Sequence, residues 1–232
     1  MDRSALRSTS AHVLVDIDQL GMSGSIALDD PTEHHLGRVL RLRDGELVGV
    51  TDGQGRWCLA VVVASGSTLH LEATSEVVTE PPSARSVVVA AAIPKGDRLD
   101  WMVQKATELG IDRLVLLHAD RSVVRWKPDR VDHQLQRLQR ISDEALRQSR
   151  RVVRLQIDAP VPAVDVLSDF VVAEPGGRSL RASDTAVAVG PEGGWSDVEL
   201  AGAADRVDLG TTILRTETAV VAVCALCVVA AR

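Results

Sequence analysis

Two glycine-rich segments in the last fifty residues have the composition of ligand-holding loops. Gly190-Pro191-Glu192-Gly193-Gly194-Trp195 follows a short apolar run, Thr185 to Val189, and precedes Ser196-Asp197-Val198-Glu199, a capping-box pattern that starts a helix. Gly210 follows a second run, Arg206 to Leu209. It leads through Thr211-Thr212-Ile213-Leu214-Arg215 to an apolar helix that Thr216 is placed to cap. In open parallel sheets ligands sit beyond the carboxyl ends of strands, and glycine there lets the backbone approach them closely. One such loop is ordinarily only a turn. Two consecutive strand, glycine loop and helix units point to a site, one that suits an adenine and ribose as well as phosphate. The chain has no Gly-x-x-x-x-Gly-Lys-Ser/Thr and no Gly-x-Gly-x-x-Gly opening a helix. These absences weigh against a nucleotide hydrolase and a dehydrogenase.

The second chemical feature is electrostatic. The net charge is −6, yet residues 121–154 hold ten basic and four acidic side chains. A local basic patch on an acidic body can bind a phosphate backbone. Arg121, Arg125 and Lys127 precede a long predicted helix, and Arg140, Arg147, Arg151 and Arg154 recur along it at spacings of seven, four and three. That spacing places them on one helical face suited to tracking phosphates. Aromatic residues make up only 2% of the chain, so base stacking must rely on few rings. Trp126, between Arg125 and Lys127, is a candidate for stacking and equally for core packing. Arg38, Arg41 and Arg43 form a smaller basic group upstream.

Other features read as structural. Cys58, Cys224 and Cys227 fit no disulfide framework and suggest a reducing compartment, with cytoplasm as the default. Cys224 and Cys227 lie in an apolar helix without a second pair of ligands, so they read as small buried residues. His34-His35 lacks a partner that spacing would single out, and no cluster has convincing metal-ligand spacing. The most apolar run, Ala219 to Ala231, is shorter than the about 20 residues that cross a bilayer. No secretory leader is visible at the start.

The elements that must position these residues fall into two parts. Over residues 1–75 the pattern is one of short strands: Ala11 to Ile17, closed by Asp16 and Asp18, then Glu46 to Thr51, Arg56 to Val63 and Leu69 to Ala73. Asp52-Gly53-Gln54-Gly55 between the second and third is a hairpin signal. A small antiparallel sheet or barrel is expected, followed by a linker over 76–85 that contains Thr79-Glu80-Pro81-Pro82-Ser83. From Ser86 the pattern alternates strand and helix, which predicts an α/β domain over 86–232 with a mostly parallel sheet. Val87 to Ile93 reads as a fully buried strand. Asp97 can cap a helix with Leu99, Met102, Val103, Ala106 and Leu109 on its apolar face, ended by Gly110. Ile111 to His118 is the next strand. Pro128 opens the long amphipathic helix, with Val131, Leu135, Leu138, Ile141 and Ala145 on its apolar face. The final helix is apolar nearly all round and should be buried, plausibly in a subunit interface.

Gly190 to Gly194, Leu209-Gly210 and Ile213-Leu214-Arg215-Thr216-Glu217-Thr218-Ala219 resemble the carboxyl-terminal signature of the RsmE family. These are bacterial 16S rRNA (uracil-N3)-methyltransferases of the SPOUT superfamily. Pro94-Lys95-Gly96-Asp97, Gln104 to Gly110, Arg121-Ser122-Val123 and Gln148-Ser149-Arg150 also match its pattern. His35 to Leu42 and Gly45 to Gly55 are similar to its PUA-like RNA-binding domain. The resemblance covers nearly the whole chain. One departure is Arg147, where the family often has a glutamate before the Gln-Ser pair.

The resemblance implies a small PUA-like β-barrel followed by a SPOUT α/β domain with a trefoil knot, assembled as a homodimer. It implies S-adenosylmethionine as cofactor, held largely through backbone by Gly190, Glu192, Gly193, Gly194, Leu209, Gly210, Ile213, Leu214 and Thr218. The substrate it implies is 16S rRNA or the small ribosomal subunit. Methyl transfer is in-line attack on an already activated methyl group, so the protein mainly aligns donor and acceptor and needs no metal. Uracil N3 must lose a proton, and a group that stabilises the developing anion helps. Arg215, inside the second loop, is the first candidate for that role, against the alternative of an ordinary ion pair. Glu217 could accept the proton or orient Arg215, or as a first-turn acid simply complement the helix dipole. Two other readings stay open: a non-catalytic RNA-binding assembly factor, and a SPOUT enzyme with another RNA target.

Overall fold

The structure, a computed structural model, describes residues 3–16, 24–66, 68–81 and 83–229. Ile17, Asp18, Pro82, Ala230 and Ala231 from the sequence reading lie outside the described residues. Two compact units make up the chain: Met1–Ser83 together with Leu146–Arg154, and Ala84–Ala145 together with Leu155–Arg232.

In the first unit the strands are β1 (Ala11–Leu14), β2 (Ser25–Ile26), β3 (Leu47–Thr51), β4 (Arg56–Ser65), β5 (Thr68–Ala73) and β6 (Val78–Thr79). A short helix α1 (Asp30–His34) runs into a π-helical turn, His35–Val39. The sheet order is β1-β3-β4-β5-β2, with β6 on β4. The hairpin forms where Asp52-Gly53-Gln54-Gly55 places it. Asp52 Oδ1 accepts from the amides of Gln54 and Arg56, and Gly53 and Gly55 take φ of 73° and 98°. Alternation along β3, β4 and β5 buries Val48, Val50, Cys58, Ala60, Val62 and Leu71 in one core.

Three features of this unit differ from the sequence reading. The sheet is not purely antiparallel, because β1 pairs parallel with β3. The segment expected as linker contains β6, which pairs with Arg56 and Trp57. Glu80 in that segment accepts a hydrogen bond from buried Trp57 Nε1 at 2.9 Å. Lastly, Leu146–Arg154 belongs to this unit, not the other. Thr51 Oγ1 and His12 Nε2 donate to the carbonyls of Val152 and Arg151, and the Arg154 amide donates to Gly53.

His12 makes that attachment sensitive to pH. Nε2–H serves the Arg151 carbonyl, while Nδ1 is buried with no hydrogen-bond partner. Burial lowers its pKa from 6.5 to about 4, with Arg150 nearby acting the same way. Between those values the unfolded chain binds a proton that the folded chain rejects, so stability is full above pH 6.5 and falls as the pH drops towards 4. Denaturant unfolding between about pH 7 and pH 4.5 should show wild type losing about 2 kcal/mol more than His12→Gln. Equal losses would remove His12 from the account.

The second unit is a parallel sheet with helices on both faces. Its elements are β7 (Val88–Ala92), α2 (Arg98–Leu109), β8 (Arg113–His118), α3 (Val131–Ser149), β9 (Gln156–Pro162), β10 (Val171–Ser179), β11 (Ala186–Val189), α4 (Asp197–Gly202), β12 (Asp205–Asp208) and α5 (Thr216–Cys224). A π-helical turn, Ala225–Val229, continues α5. The strand order is β12-β10-β11-β7-β8-β9, every pair parallel. Side chains alternate between faces. Val89 and Ala91 of β7 join the core beneath α2 and α5, while Ala90 joins the opposite core with Phe170 and Trp195. Burial on both sides explains why β7 is one unbroken apolar run.

Helix ends follow the sequence in part. Gly110 closes α2 in the left-handed conformation at φ 93°. Ser196 and Glu199 form the full capping box of α4. Asp97 precedes α2 but has helical dihedrals and makes no side-chain capping bond. Arg215, not Thr216, is the residue flanking α5, and the Thr216 hydroxyl serves another purpose described below. Helix α3 starts through a 3-10 turn at Pro128–Arg130 and stops at Ser149, where Arg150 takes a φ of 59°. The four-arginine helical face therefore does not exist. Arg151 and Arg154 lie past the helix end, and Arg151 is buried with its Nε on the Val153 carbonyl.

Candidate cofactor cleft

At one end of the parallel sheet β11 and β12 stop and β10, between them, bulges. The two loops and the bulge enclose a cleft of about 410 Å³, within the usual range for a small-ligand site of about 300–1,000 Å³. Its walls are the start of α5 at Thr216 and Ala219, the Gly190–Trp195 loop, and the Leu209–Arg215 loop. Ala173, Glu174 and Pro175, at the bulge within β10, complete it.

Each loop is pinned by named contacts. In the first, Gly194 N–H donates to the Pro191 carbonyl at 2.9 Å with Gly194 at φ 70°, a tight turn. Gly190 lies against the Trp195 indole, where a Cβ would come within 2.9 Å of Cε2. The indole is buried, and its Nε1 donates to the Ala173 carbonyl at 3.1 Å, which couples this loop to β10. Thr216 Oγ1 donates to the Gly190 carbonyl at 2.9 Å, so the hydroxyl expected to cap α5 fastens α5 to the loop. Arg121 Nη1 donates to the Gly193 carbonyl at 3.2 Å.

Asp208 joins the β10 bulge to the second loop. Its Oδ2 accepts from Gly176 N–H at 2.9 Å and its Oδ1 from Gly210 N–H at 2.8 Å. These two amides, Gly176 first, hold the carboxyl below the usual carboxylate range. The bulge in β10 between Ala173 and Arg178 brings Gly176 within reach. Asp208→Asn retains one acceptor oxygen and turns an amine towards the other N–H. Amide hydrogen exchange at Gly176 or Gly210 should quicken by about ten-fold in that variant. Unchanged exchange at both would show that the carboxylate does not clasp the loops.

Of the residues expected to hold a cofactor, Gly190, Glu192, Gly193, Gly194, Leu209, Gly210, Ile213 and Leu214 all line the cleft. Thr218 does not, and it is exposed on α5. Arg215 lines the cleft with an exposed side chain and has no ion pair among the described residues. Glu217 is outside the lining. It is buried, 3.7 Å from Arg98 Nε, and its Oε2 has no hydrogen-bond partner.

The expected RNA contacts are dispersed. Arg121 faces the Gly193 carbonyl, and Arg125 Nη2 donates to the Ala119 carbonyl at 2.9 Å. Trp126 packs on the core, and its amide donates to His118 Nε2 at 3.3 Å. Burial and Arg125 lower the His118 pKa, keeping the acceptor form. Lys127 and Arg140 are exposed. In the first unit Arg147 is half-buried, whereas Arg154, Arg38, Arg41 and Arg43 are exposed.

The β10 contribution was missed in the sequence, although it carries a signal. Val171-Val172-Ala173 followed by Glu174-Pro175-Gly176-Gly177 repeats the apolar-run-then-glycine pattern of the other two loops.

With this geometry in view, comparisons with known proteins are specific. Residues 81–228 match the family model described as RNA methyltransferase domain, and residues 28–73 match RNA methyltransferase PUA domain. A Mycobacterium bovis protein, ribosomal RNA small subunit methyltransferase E, is 32% identical over 89% of this chain and 87% of its own. The chain belongs to this methyltransferase E family. The family member from Synechocystis is also 32% identical, covering 94% of this chain and 77% of the relative. Among solved structures, a methyltransferase E from Neisseria gonorrhoeae bound to S-adenosylmethionine superposes with a TM-score of 0.75. It is 25% identical over 93% of this chain and 95% of that one. A Legionella pneumophila methyltransferase, also with that cofactor bound, shares the fold at a TM-score of 0.78 and 21% identity, covering 95% and 96%. Family membership makes the chain an RNA methyltransferase with a PUA domain before an α/β catalytic domain.

Proposed function

We propose that the chain transfers the methyl group of S-adenosylmethionine to N3 of a uridine in 16S rRNA, within the small ribosomal subunit. The observation that carries this reading is the cleft at one end of the parallel sheet, in a chain whose 32% identical relatives are named as small-subunit rRNA methyltransferases. The cleft's own chemistry fits the cofactor. Val189, Leu209, Leu214 and Ala219 offer apolar walls for a base, and Glu174, Glu192 and Asp208 offer carboxylates for hydroxyl and ammonium groups. Positive φ at Gly194 and Gly210 lets the backbone bend around a ligand.

The cofactor supplies an activated sulfonium methyl group, so no metal is needed. Leu209, Gly210, Ile213 and Leu214 of one loop and Gly190, Glu192, Gly193 and Gly194 of the other would hold it. Arg215, which lines the cleft with an exposed side chain, stabilises negative charge on the uracil as N3 gives its proton to solvent. Exposed Lys127 and Arg140 contact phosphates, as do Arg38, Arg41 and Arg154 of the first unit. The trefoil knot and the homodimer belong to this reading, as does action in the cytoplasm. Trp101 and Leu226 are exposed apolar side chains of the second unit that a dimer could cover.

Labelled S-adenosylmethionine incubated with small subunits from a strain lacking this methylation should deliver label to 16S rRNA. Absence of label, with no cofactor binding by calorimetry, would leave an RNA-binding assembly factor as the better reading.

A further inference from the structure

Arg98, the first residue of α2, stands between two carboxylates of unequal burial. Its Nη1 donates to Glu192 Oε1 at 3.2 Å, and its Nε lies 3.7 Å from Glu217 Oε1. Glu192 belongs to the first cleft loop and its side chain is 46% exposed, while the Glu217 side chain on α5 is 10% exposed. A pair as exposed as Arg98–Glu192 adds little to stability on its own. A carboxylate as buried as Glu217 is costly without a counter-charge. Arg98 is the cation paired with it among the described residues, and Glu217 Oε2 remains unpartnered. Glu217 therefore holds the guanidinium by charge, and the guanidinium in turn donates a hydrogen bond to Glu192. One residue away, Thr216 ties the same α5 turn to Gly190. The loop is thus held to α5 at both Gly190 and Glu192.

We propose that Arg98 is a positioning residue, a fork anchored on buried Glu217 that holds Glu192 and its loop in the conformation that receives S-adenosylmethionine. This rests on the reading of the cleft as the cofactor site. It also reassigns Glu217, which acts through Arg98 on the loop and not on the substrate proton. Arginine suits the task because its planar guanidinium presents several N–H groups at fixed angles. A lysine is a single point charge that can neutralise Glu217 but cannot span both carboxylates.

The test is calorimetric titration of the full chain with S-adenosylmethionine, alongside thermal melts. Wild type must bind, and failure there would sink the cofactor reading itself, separately from the role of Arg98. Arg98→Lys should keep the wild-type melting temperature and bind about ten-fold more weakly. Arg98→Ala leaves Glu217 unpaired and should melt earlier. Arg98→Ala with Glu217→Gln should regain the melting temperature without regaining affinity. Glu192→Gln should weaken binding alone and add little in the Arg98→Lys background. Wild-type affinity in Arg98→Lys and in the double variant would overturn the proposal. So would affinity losses that track the loss of fold in every variant.

Discussion

Arg215→Ala should lower kcat for methyl transfer to small subunits by about 10²–10³-fold, with a much smaller change in the affinity for S-adenosylmethionine. The size follows from where the side chain sits. Arg215 lines the cleft, is exposed, and has no ion pair among the described residues, so its charge is available to a substrate. An arginine already paired with Glu217 would be a poor stabiliser, but Glu217 faces Arg98 instead. Deprotonation of uracil N3 creates negative charge on the ring, and a cation beside it acts mainly in the transition state. The proposed cofactor site, by contrast, is lined largely by backbone and apolar groups. Single-turnover kinetics with saturating cofactor check this. A kcat within a few-fold of wild type would remove Arg215 from the chemistry.

Gly190→Ala should weaken cofactor binding by at least about 30-fold and destabilise the chain by about 1–3 kcal/mol. The added Cβ would stand 2.9 Å from Cε2 and 3.1 Å from Nε1 of Trp195. That ring cannot swing aside freely: it is 3% exposed, packed in the core with Phe170 and Val172, and bonded to the Ala173 carbonyl. Moving it disturbs the Gly190 loop and the β10 bulge together, two of the four segments that line the cleft. Gly202→Ala is the matched control, since nothing lies within 4 Å of its would-be Cβ at the end of α4. Calorimetry and melts on both variants separate a local clash from a general intolerance of glycine replacement. Equal behaviour of the two would contradict the packing argument.

The parts of the fold legible in the sequence are those fixed by local chemistry. Asp52 to Gly55 makes the hairpin because the carboxylate satisfies two turn amides and two glycines take positive φ. Ser196 and Glu199 satisfy each other's helix-end amides, and Gly110 closes α2. Such signals need no knowledge of distant residues. Where tertiary contacts decide, local reading falls short. Glu174-Pro175-Gly176-Gly177 looks like a turn, yet it stays within β10 as a bulge because Asp208 accepts from Gly176. The arginines from 140 to 154 have helical spacing, but α3 ends at Ser149 and the chain beyond it belongs to the first unit. Thr216 has the residue type of a cap, and its hydroxyl instead serves a carbonyl 26 positions earlier in the chain. The two glycine loops are legible because their conformations need glycine itself: Gly194 and Gly210 take positive φ, and Gly190 lies against the Trp195 ring. Strand β10, which sits between β11 and β12 in the sheet, was not readable from chain order.

The identity of the methylated atom decides the function. Small subunits lacking the modification would be incubated with the purified chain and isotope-labelled S-adenosylmethionine. The 16S rRNA would then be digested to nucleosides and resolved by mass and retention. Labelled 3-methyluridine is the expected product, reduced by both Gly190→Ala and Arg215→Ala. Label in a ribose-methylated nucleoside or in another base would contradict the assignment to uracil N3.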